Sequence, residues 1–451
     1  MLYEILKPLT NIFYRIYYTF EIKGLKKIPL DKPVILSPNH TNGFIDPVII
    51  GMLLKPKVRF FARGDVFKGR LIKWALNDMN MSPMFRLQEG YSEVKKNDKT
   101  FEECKKLLSE NKALLIFPEA ICVQEKRLQP LKKGLSRIVF QAEEAFDFKQ
   151  NVYVVPIGLN YSDAKKFRSK LFIHFGEPIS LKKYENDFKE NKVHAINDFT
   201  KMLEQEMRKL IITIKNKDND QLVEGVHEIY LHQWMTEKKY DPKSIEKEFH
   251  VRKEIAEMVN YQDEKDPDEV ISLKKKIIPY LKQLNKYSLR DHLLQPETIN
   301  NTTITDFLLE FIIIWIGMPI YGLGLMMNYL PFYIAKKFVA KKIKNAEFIA
   351  SVYANMSMLL WVPVYGIQLL IVALVFRNWN LLLIYAILVP LTGFFVLKYY
   401  PVMKRIFGRW RLLRLVRKER KVVEILMNER AAIIEELNEI KKEYQEADIK
   451  I

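Results

Sequence analysis

The chain has 451 residues, with 72 Lys and Arg against 54 Asp and Glu, a net charge of +18. That surplus favours anionic partners such as phosphate groups and acidic lipid headgroups, and membrane-length apolar runs in the last third argue against nucleic acid. Two cysteines, Cys104 and Cys122, are too few for a disulfide framework or a zinc cluster, and no metal-ligand spacing occurs elsewhere.

Residues 1–19 carry a broad apolar face of Leu2, Tyr3, Ile5, Leu6, Leu9, Ile12, Phe13, Ile16 and Tyr17, with Glu4, Lys7, Asn11 and Arg15 opposite. The pattern predicts a helix bent or divided at Pro8. Its tyrosines suit a position at headgroup level, and packing on a domain core is compatible with that. A clean apolar core and a small-residue cleavage site are missing from Met1 to Phe20, so a secretory leader is not expected.

From residue 20 to 182 strands and helices alternate. Strands are expected at Phe20–Lys23, Val34–Ser37, Val58–Ala62, Met81–Phe85, Ala113–Phe117, Val152–Tyr161 and Leu171–Phe175. Helices are expected at Val48–Leu54, Gly69–Asn77, Thr100–Glu110 and Gly134–Phe146. The alternation indicates an α/β domain with a largely parallel sheet flanked by helices. Functional loops in such sheets lie beyond the strand ends.

One such loop reads Asn39-His40-Thr41-Asn42-Gly43-Phe44-Ile45-Asp46. A histidine after a strand, with a carboxylate a short turn later, can form a base and its orienting partner. One ring nitrogen takes a proton from a hydroxyl while the carboxylate holds the other. Asp46-Pro47 also fits a plain helix opening, with Asp46 as N-cap and Pro47 in the first turn. No Ser or Cys stands in a nucleophile elbow, so a covalent intermediate is not indicated.

Downstream come Ser82-Pro83-Met84-Phe85-Arg86, then Phe117-Pro118-Glu119-Ala120, a basic stretch from Lys126 to Lys133, and Val155-Pro156-Ile157-Gly158. The order His-x5-Asp, Pro-x-Phe-Arg, Phe-Pro-Glu and Val-Pro-Ile-Gly resembles the four motif blocks of the glycerol-3-phosphate and lysophosphatidate acyltransferase superfamily. The five-residue spacing between His40 and Asp46 resembles the glycerol-3-phosphate and dihydroxyacetone-phosphate branch. Ala120 stands where that family usually has glycine.

The resemblance implies a glycerolphosphate acyltransferase-like fold and a set of site residues. His40 and Asp46 are the catalytic pair. Arg86, Phe117, Pro118, Glu119, Arg127 and Lys133 form the substrate-binding set. A glycerol phosphate dianion needs fixed cations, and the forked guanidinium of arginine suits phosphate. Arg86 is the first candidate, with Arg127 and Lys133 as helpers. Glu119 would contact a substrate hydroxyl or hold a cation of the site. The Lys126–Lys133 run also reads as a solvated or membrane-facing loop, and Glu119 as a structural ion-pair partner.

Residues 183–303 read as a charge-rich helical appendage, with helices at Val193–Lys215, Leu222–Thr236, Ser244–Tyr261 and Asp268–Lys286. Asp266-Pro267-Asp268 is a helix-opening signal. Residues 304–400 read as membrane-embedded, since a span needs ~20 apolar residues. Lysines at 336, 337, 341, 342 and 344 and the basic run after Leu397 put both ends of the second and third apolar runs in the cytoplasm. A cytoplasm-facing catalytic domain then requires Phe307–Tyr333, interrupted by Gly317, Pro319, Gly322 and Gly324, to be broken or re-entrant. The alternative is three full crossings. Residues 401–451 predict a basic amphipathic helix and then a mixed-charge helix with Val422, Ile425, Ile433, Ile434, Leu437 and Ile440 on its packing side.

The expectation is an integral-membrane O-acyltransferase of phospholipid synthesis. It would take acyl-CoA or acyl carrier protein as co-substrate, with no other cofactor, glycerol 3-phosphate as acceptor and membrane phospholipids as surroundings. Lysophosphatidate is the second acceptor. A lipid- or CoA-binding membrane scaffold without catalysis is the alternative of another class, motivated by Ala120 and Cys122.

Overall fold

The computed structural model describes residues 2–55, 57–85, 97–295 and 304–448. The chain divides into two compact units. One comprises Met1–Thr213, Lys243–Phe249 and Ile343–Asn355, and the other Ile214–Pro242, His250–Lys342 and Met356–Ile451.

The first unit is built on strands β1 (Thr19–Lys23), β2 (Val34–Pro38), β3 (Val58–Arg63), β4 (Met81–Met84), β5 (Ala113–Leu115), β6 (Tyr153–Tyr161), β7 (Lys170–Phe175) and β8 (Ile179–Ser180). They form one sheet in the order β1-β7-β6-β2-β5-β3-β4, with β8 also on β6. The pairs of β2 with β5 and β6, and of β3 with β4 and β5, are parallel. β7 runs antiparallel to β6, and β1 runs parallel to β7, so one edge of the sheet is reversed. The largely parallel sheet expected from the alternation is therefore present.

β2 lies at the centre and is buried on both faces, hence its continuous apolar sequence. Val34 and Leu36 join the core beneath α1 (Leu2–Tyr17) and α2 (Ile45–Leu53). Ile35 joins the opposite core, made with helices Asn97–Ser109, Gly134–Ala145, Glu185–Glu190 and Lys192–Lys209 (α4 to α7). α3 (Arg70–Asp78) connects β3 to β4. α1 continues through Pro8, where the sequence predicts a bend or break. Tyr3, Thr10, Tyr14 and Tyr17 are buried along it, and that packing holds the helix where one N–H is missing. Gly158 on β6 is forced by close approach, because a Cβ there would lie 2.1 Å from the Leu210 carbonyl oxygen.

The second unit is helical. It contains α8 (Asp220–Glu237), the greater part of α9 (Ile245–Lys265), α10 (Pro267–Lys286), α11 (Ile304–Asn328), α12 (Leu330–Lys342), the later part of α13 (Ala346–Phe376), α14 (Trp379–Lys418) and α15 (Arg420–Asp448). The Asp266 carboxylate caps α10 at 3.1 Å from the Asp268 and Glu269 amides. α11, α13 and α14 are the three helices among the described residues long and apolar enough to cross a membrane.

α11 and α14 run antiparallel. Asn328 donates to the Val389 carbonyl at 3.1 Å, Tyr399 to the Ile314 carbonyl at 3.0 Å, and Glu310 pairs with Arg409 and accepts from Trp410 at 3.0 Å. α13 turns back into α14 as a hairpin, with the Tyr365 hydroxyl on the Ala386 carbonyl. Gln368 of α13 meets the Met327 carbonyl of α11 at 2.9 Å.

α15 packs on α8 and α10. Its inward residues are Val423, Leu426, Ile433, Leu437 and Ile440, rather than Val422 and Ile425 as the sequence suggests. They follow an alternating three- and four-residue spacing, a coiled-coil seam whose missing step is filled by Arg430. The Arg430 guanidinium meets the buried Asp291 carboxylate at 3.0 Å, and the Tyr280 hydroxyl donates to the same oxygen at 2.6 Å.

Candidate active site

The loop after β2 leaves the C-terminal edge of the parallel strands. Asn39 fixes its direction by extending the β2–β6 pairing with side-chain bonds, accepting from the Leu159 amide at 2.7 Å and donating to the Leu159 carbonyl at 3.2 Å. The chain then folds back on itself, and Asp46 arrives in the first turn of α2.

Asp46 is fully buried. Its Oδ2 accepts from His40 Nδ1 at 3.0 Å, from the Thr41 amide at 2.9 Å and from the Asn42 amide at 2.7 Å. Its Oδ1 accepts from the Tyr161 hydroxyl at 2.8 Å. The carboxylate thus turns away from its own helix, and Phe44 occupies the N-cap position without a side-chain cap bond. The reading of Asp46 as a helix cap does not hold. Four donors converge on one buried carboxylate, an arrangement that fixes its position.

His40 is held from three sides. Asp46 takes Nδ1, the Phe117 ring stacks on the imidazole at 3.9 Å between centroids, and Glu119 Oε1 accepts from the His40 amide at 2.7 Å. Among the described residues Nε2 carries no hydrogen bond, so the ring presents one nitrogen for a proton. With Nδ1–H on the carboxylate, Nε2 is the basic atom.

Glu119 is 3 % exposed and also accepts from the Gln129 amide at 2.9 Å through Oε2. Burial pushes its carboxyl up to about 7, against the two backbone donors, which pull the other way. Both of its oxygens are thereby engaged with backbone, tying the His40 loop to the loop after β5. Between them the chain turns at Ala120, whose φ is +57° and whose amide reaches the Phe117 carbonyl at 3.2 Å. This left-handed position explains why glycine is usual there and shows that alanine adopts the same turn.

Pro118 is buried and its carbonyl accepts from the Lys132 amide at 2.8 Å. Arg127 pairs with Glu125 at 3.0 Å, and Lys133 is exposed at the start of α5. Arg86 lies outside the described residues. His40, Asp46, Phe117 and Glu119 are brought together, whereas Arg127 and Lys133 stand further along the loop that leaves Glu119.

Three further groups complete the loop. Asn42 is fully buried and donates to the Tyr18 hydroxyl at 3.2 Å and the Ala164 carbonyl at 3.0 Å. Cys122 Sγ accepts from the Gly43 amide at 3.1 Å, and burial raises its thiol to about 12, so it is not a nucleophile. The first turns of α13 lie against Gly43, where a Cβ would meet the Phe348 ring at 2.9 Å and Ser351 Oγ at 3.0 Å. No sequence signal joins Phe348 or Ser351 to this loop.

Residues 19–160 match the family model Acyltransferase, and residues 240–446 match the Glycerol-3-phosphate acyltransferase 2 C-terminal domain. Both models describe acyltransferases, and together they cover most of the chain. Among its relatives is glycerol-3-phosphate O-acyltransferase 1 of Saccharomyces cerevisiae, 25 % identical over 249 residues, 53 % of this chain and 31 % of that protein. Glycerol-3-phosphate O-acyltransferase 2 of the same yeast is 24 % identical over 286 residues, 60 % of this chain and 35 % of its own. The matched stretch thus spans about a third of the length of either yeast acyltransferase. The crystal structure of the 1-acyl-sn-glycerophosphate (LPA) acyltransferase from Thermotoga maritima is 18 % identical, covering 45 % of this chain and 78 % of that one at a TM-score of 0.32.

Proposed function

We propose that this chain transfers a fatty acyl group from a thioester donor to a hydroxyl of glycerol 3-phosphate. The observation that carries the proposal is His40, with Nδ1 held by buried Asp46 and Nε2 unbonded among the described residues. In the reaction Nε2 takes the acceptor hydroxyl's proton as its oxygen attacks the thioester carbonyl. The imidazolium, stabilised by Asp46, then returns the proton to the departing thiolate. Acyl-CoA and acyl carrier protein present the same thioester, and either fits this step. Arg86, Arg127 and Lys133 supply the cations for the acceptor phosphate in this reading. The relatedness to two yeast glycerol-3-phosphate O-acyltransferases favours glycerol 3-phosphate over lysophosphatidate. The test is an assay of the purified chain with labelled acyl-CoA and each acceptor in turn. Transfer to glycerol 3-phosphate that falls by about 10²-fold or more in His40→Ala supports it. Binding without turnover would favour the scaffold reading.

The second unit supports a particular membrane arrangement. α11 and the later part of α13 both run antiparallel to α14, so they run in the same direction. The connection between them must therefore return to its starting level. α12 has 13 residues. At ~1.5 Å per residue it is about 20 Å long, too short for a ~30 Å hydrocarbon core. This favours α11 and α12 as a re-entrant pair over a third complete crossing. The packing of α15 on α8 and α10 supports the same reading, since it holds the segments before and after the membrane region together. The basic residues of both flanks then face the cytoplasm.

A further inference from the structure

In the first unit, α3 follows β3 and turns an apolar side outward. Leu71 is 75 % exposed, Trp74 55 % and Ile72 52 %. On a helix of nine residues this is an unusual display for a water-facing surface, and none of its side chains is buried. Lys68, Arg70 and Lys73 border these residues, all exposed and without an ion-pair partner among the described residues. α1, in contact with α3 through the Leu2 amide on Asp78 at 2.5 Å, exposes Ile5 and Ile12 as well. The core cluster under α1 and α2 also holds Ala354, near the start of α13, one of the helices apolar enough to cross a membrane.

We infer that α3 is a membrane-seating helix that inserts Leu71, Ile72 and Trp74 into the interfacial layer of an anionic bilayer, with Lys68, Arg70 and Lys73 on the lipid phosphates. An exposed apolar side with a tryptophan and a cationic border fits the headgroup region, where apolar burial and charge attraction act together. An apolar partner surface would leave the three cations without a complement, and an acyl chain alone would not use them. The inference rests on the reading that α13 and α14 lie in a bilayer.

The full chain is reconstituted in phosphatidylcholine vesicles with and without one quarter phosphatidylglycerol. An environment-sensitive fluorophore is placed on Leu71→Cys, on Asn77→Cys or on Leu383→Cys, with the unsubstituted chain as background. Lipid-borne nitroxide quenchers should reduce the Leu71→Cys signal by about half and the Asn77→Cys signal little, more strongly in the anionic vesicles. Combining Leu71→Cys with Lys68→Glu, Arg70→Glu and Lys73→Glu should remove the dependence on anionic lipid. A quenched Leu383→Cys with an unquenched Leu71→Cys overturns the seating of α3 while leaving the bilayer reading intact. An unquenched Leu383→Cys overturns both. Disulfide-linked dimers of Leu71→Cys, formed in place of quenching, would assign the surface to a second copy and overturn the inference.

Discussion

Tyr161 donates its hydroxyl proton at 2.8 Å to Asp46 Oδ1, the carboxylate oxygen that His40 does not use. Burial and the neighbouring Asp46 charge hold this phenol well above its ordinary value, so it stays a donor throughout the working pH range. In the proposed reaction Tyr161 is a positioning residue, acting on His40 through Asp46. Tyr161→Phe should lower kcat about tenfold with little change in KM, since a hydrogen bond to a charged group is worth roughly 1.5–3 kcal/mol. Unchanged kcat would remove it from the mechanism.

Asp46→Asn keeps the size of the side chain but presents an amide to at least one of four donors. Turnover should fall by about 10²–10⁴-fold. Because Tyr161 acts through Asp46, adding Tyr161→Phe to Asp46→Asn should cost almost nothing further. Additive losses in steady-state kinetics would show that the two side chains act separately.

Glu119 gives the fold a pH dependence of definite sign. Its folded value of about 7 lies above the ordinary carboxylate range, so between about 4.5 and 7 the folded chain holds a proton that the unfolded chain has released. Its contribution is therefore complete below about pH 4.5 and is lost as pH rises to about 7. Thermal unfolding of the detergent-solubilised protein should show this decline, and Glu119→Gln should not. Near pH 4.5 the same variant should lower stability by about 1–3 kcal/mol, because its amide NH₂ must face a backbone N–H, and the gap should narrow as pH rises towards 7.

Ala120→Gly relieves an alanine held at φ +57°. A left-handed alanine costs about 1–2 kcal/mol, and glycine gives back up to ~1 kcal/mol through its freer unfolded chain. A rise in Tm of about 1–3 °C is expected, with activity retained. A lower Tm would mean that the Ala120 methyl group is a needed packing contact.

Single cysteines at Lys286 and Glu446 should react with an impermeant thiol reagent from the same side of sealed vesicles, and one at Asn378 from the other. The packing of α15 against α8 and α10 sets the first pair, and the α13–α14 hairpin sets the third site. Labelling of Lys286→Cys and Glu446→Cys from opposite sides would restore three full crossings.

The centre of the sheet was legible because β2, β5 and β6 are buried, which leaves short apolar runs such as Val34–Leu36 whose length and flanking turn residues mark them as strands. His40, Asp46, Phe117 and Glu119 were legible through the resemblance of their motif blocks, and they lie together in the structure. Tyr161 was not, because a tyrosine ending a strand looks like ordinary core until its hydroxyl partner is seen. Phe348 and Ser351 lie far along the chain at the head of an apolar helix, where sequence gives length and hydropathy but no lateral contacts. The inward side of α15 was misjudged at Val422 and Ile425 because neighbouring apolar positions compete, and a seam repeating every three and four residues selects Val423 and Leu426.

Residues 343–355 belong to the same compact unit as the His40 loop, yet they are synthesised after most of the chain. Translation runs from the N-terminus, so a growing chain meets Phe348 and Ser351 only once the α11–α12 segment has left the ribosome. Until then Gly43 lacks the neighbours that close over it, and the base stands in an unfinished loop. The last neighbours of the His40 loop are thereby added late in biogenesis, after the segments that build the sheet beneath it.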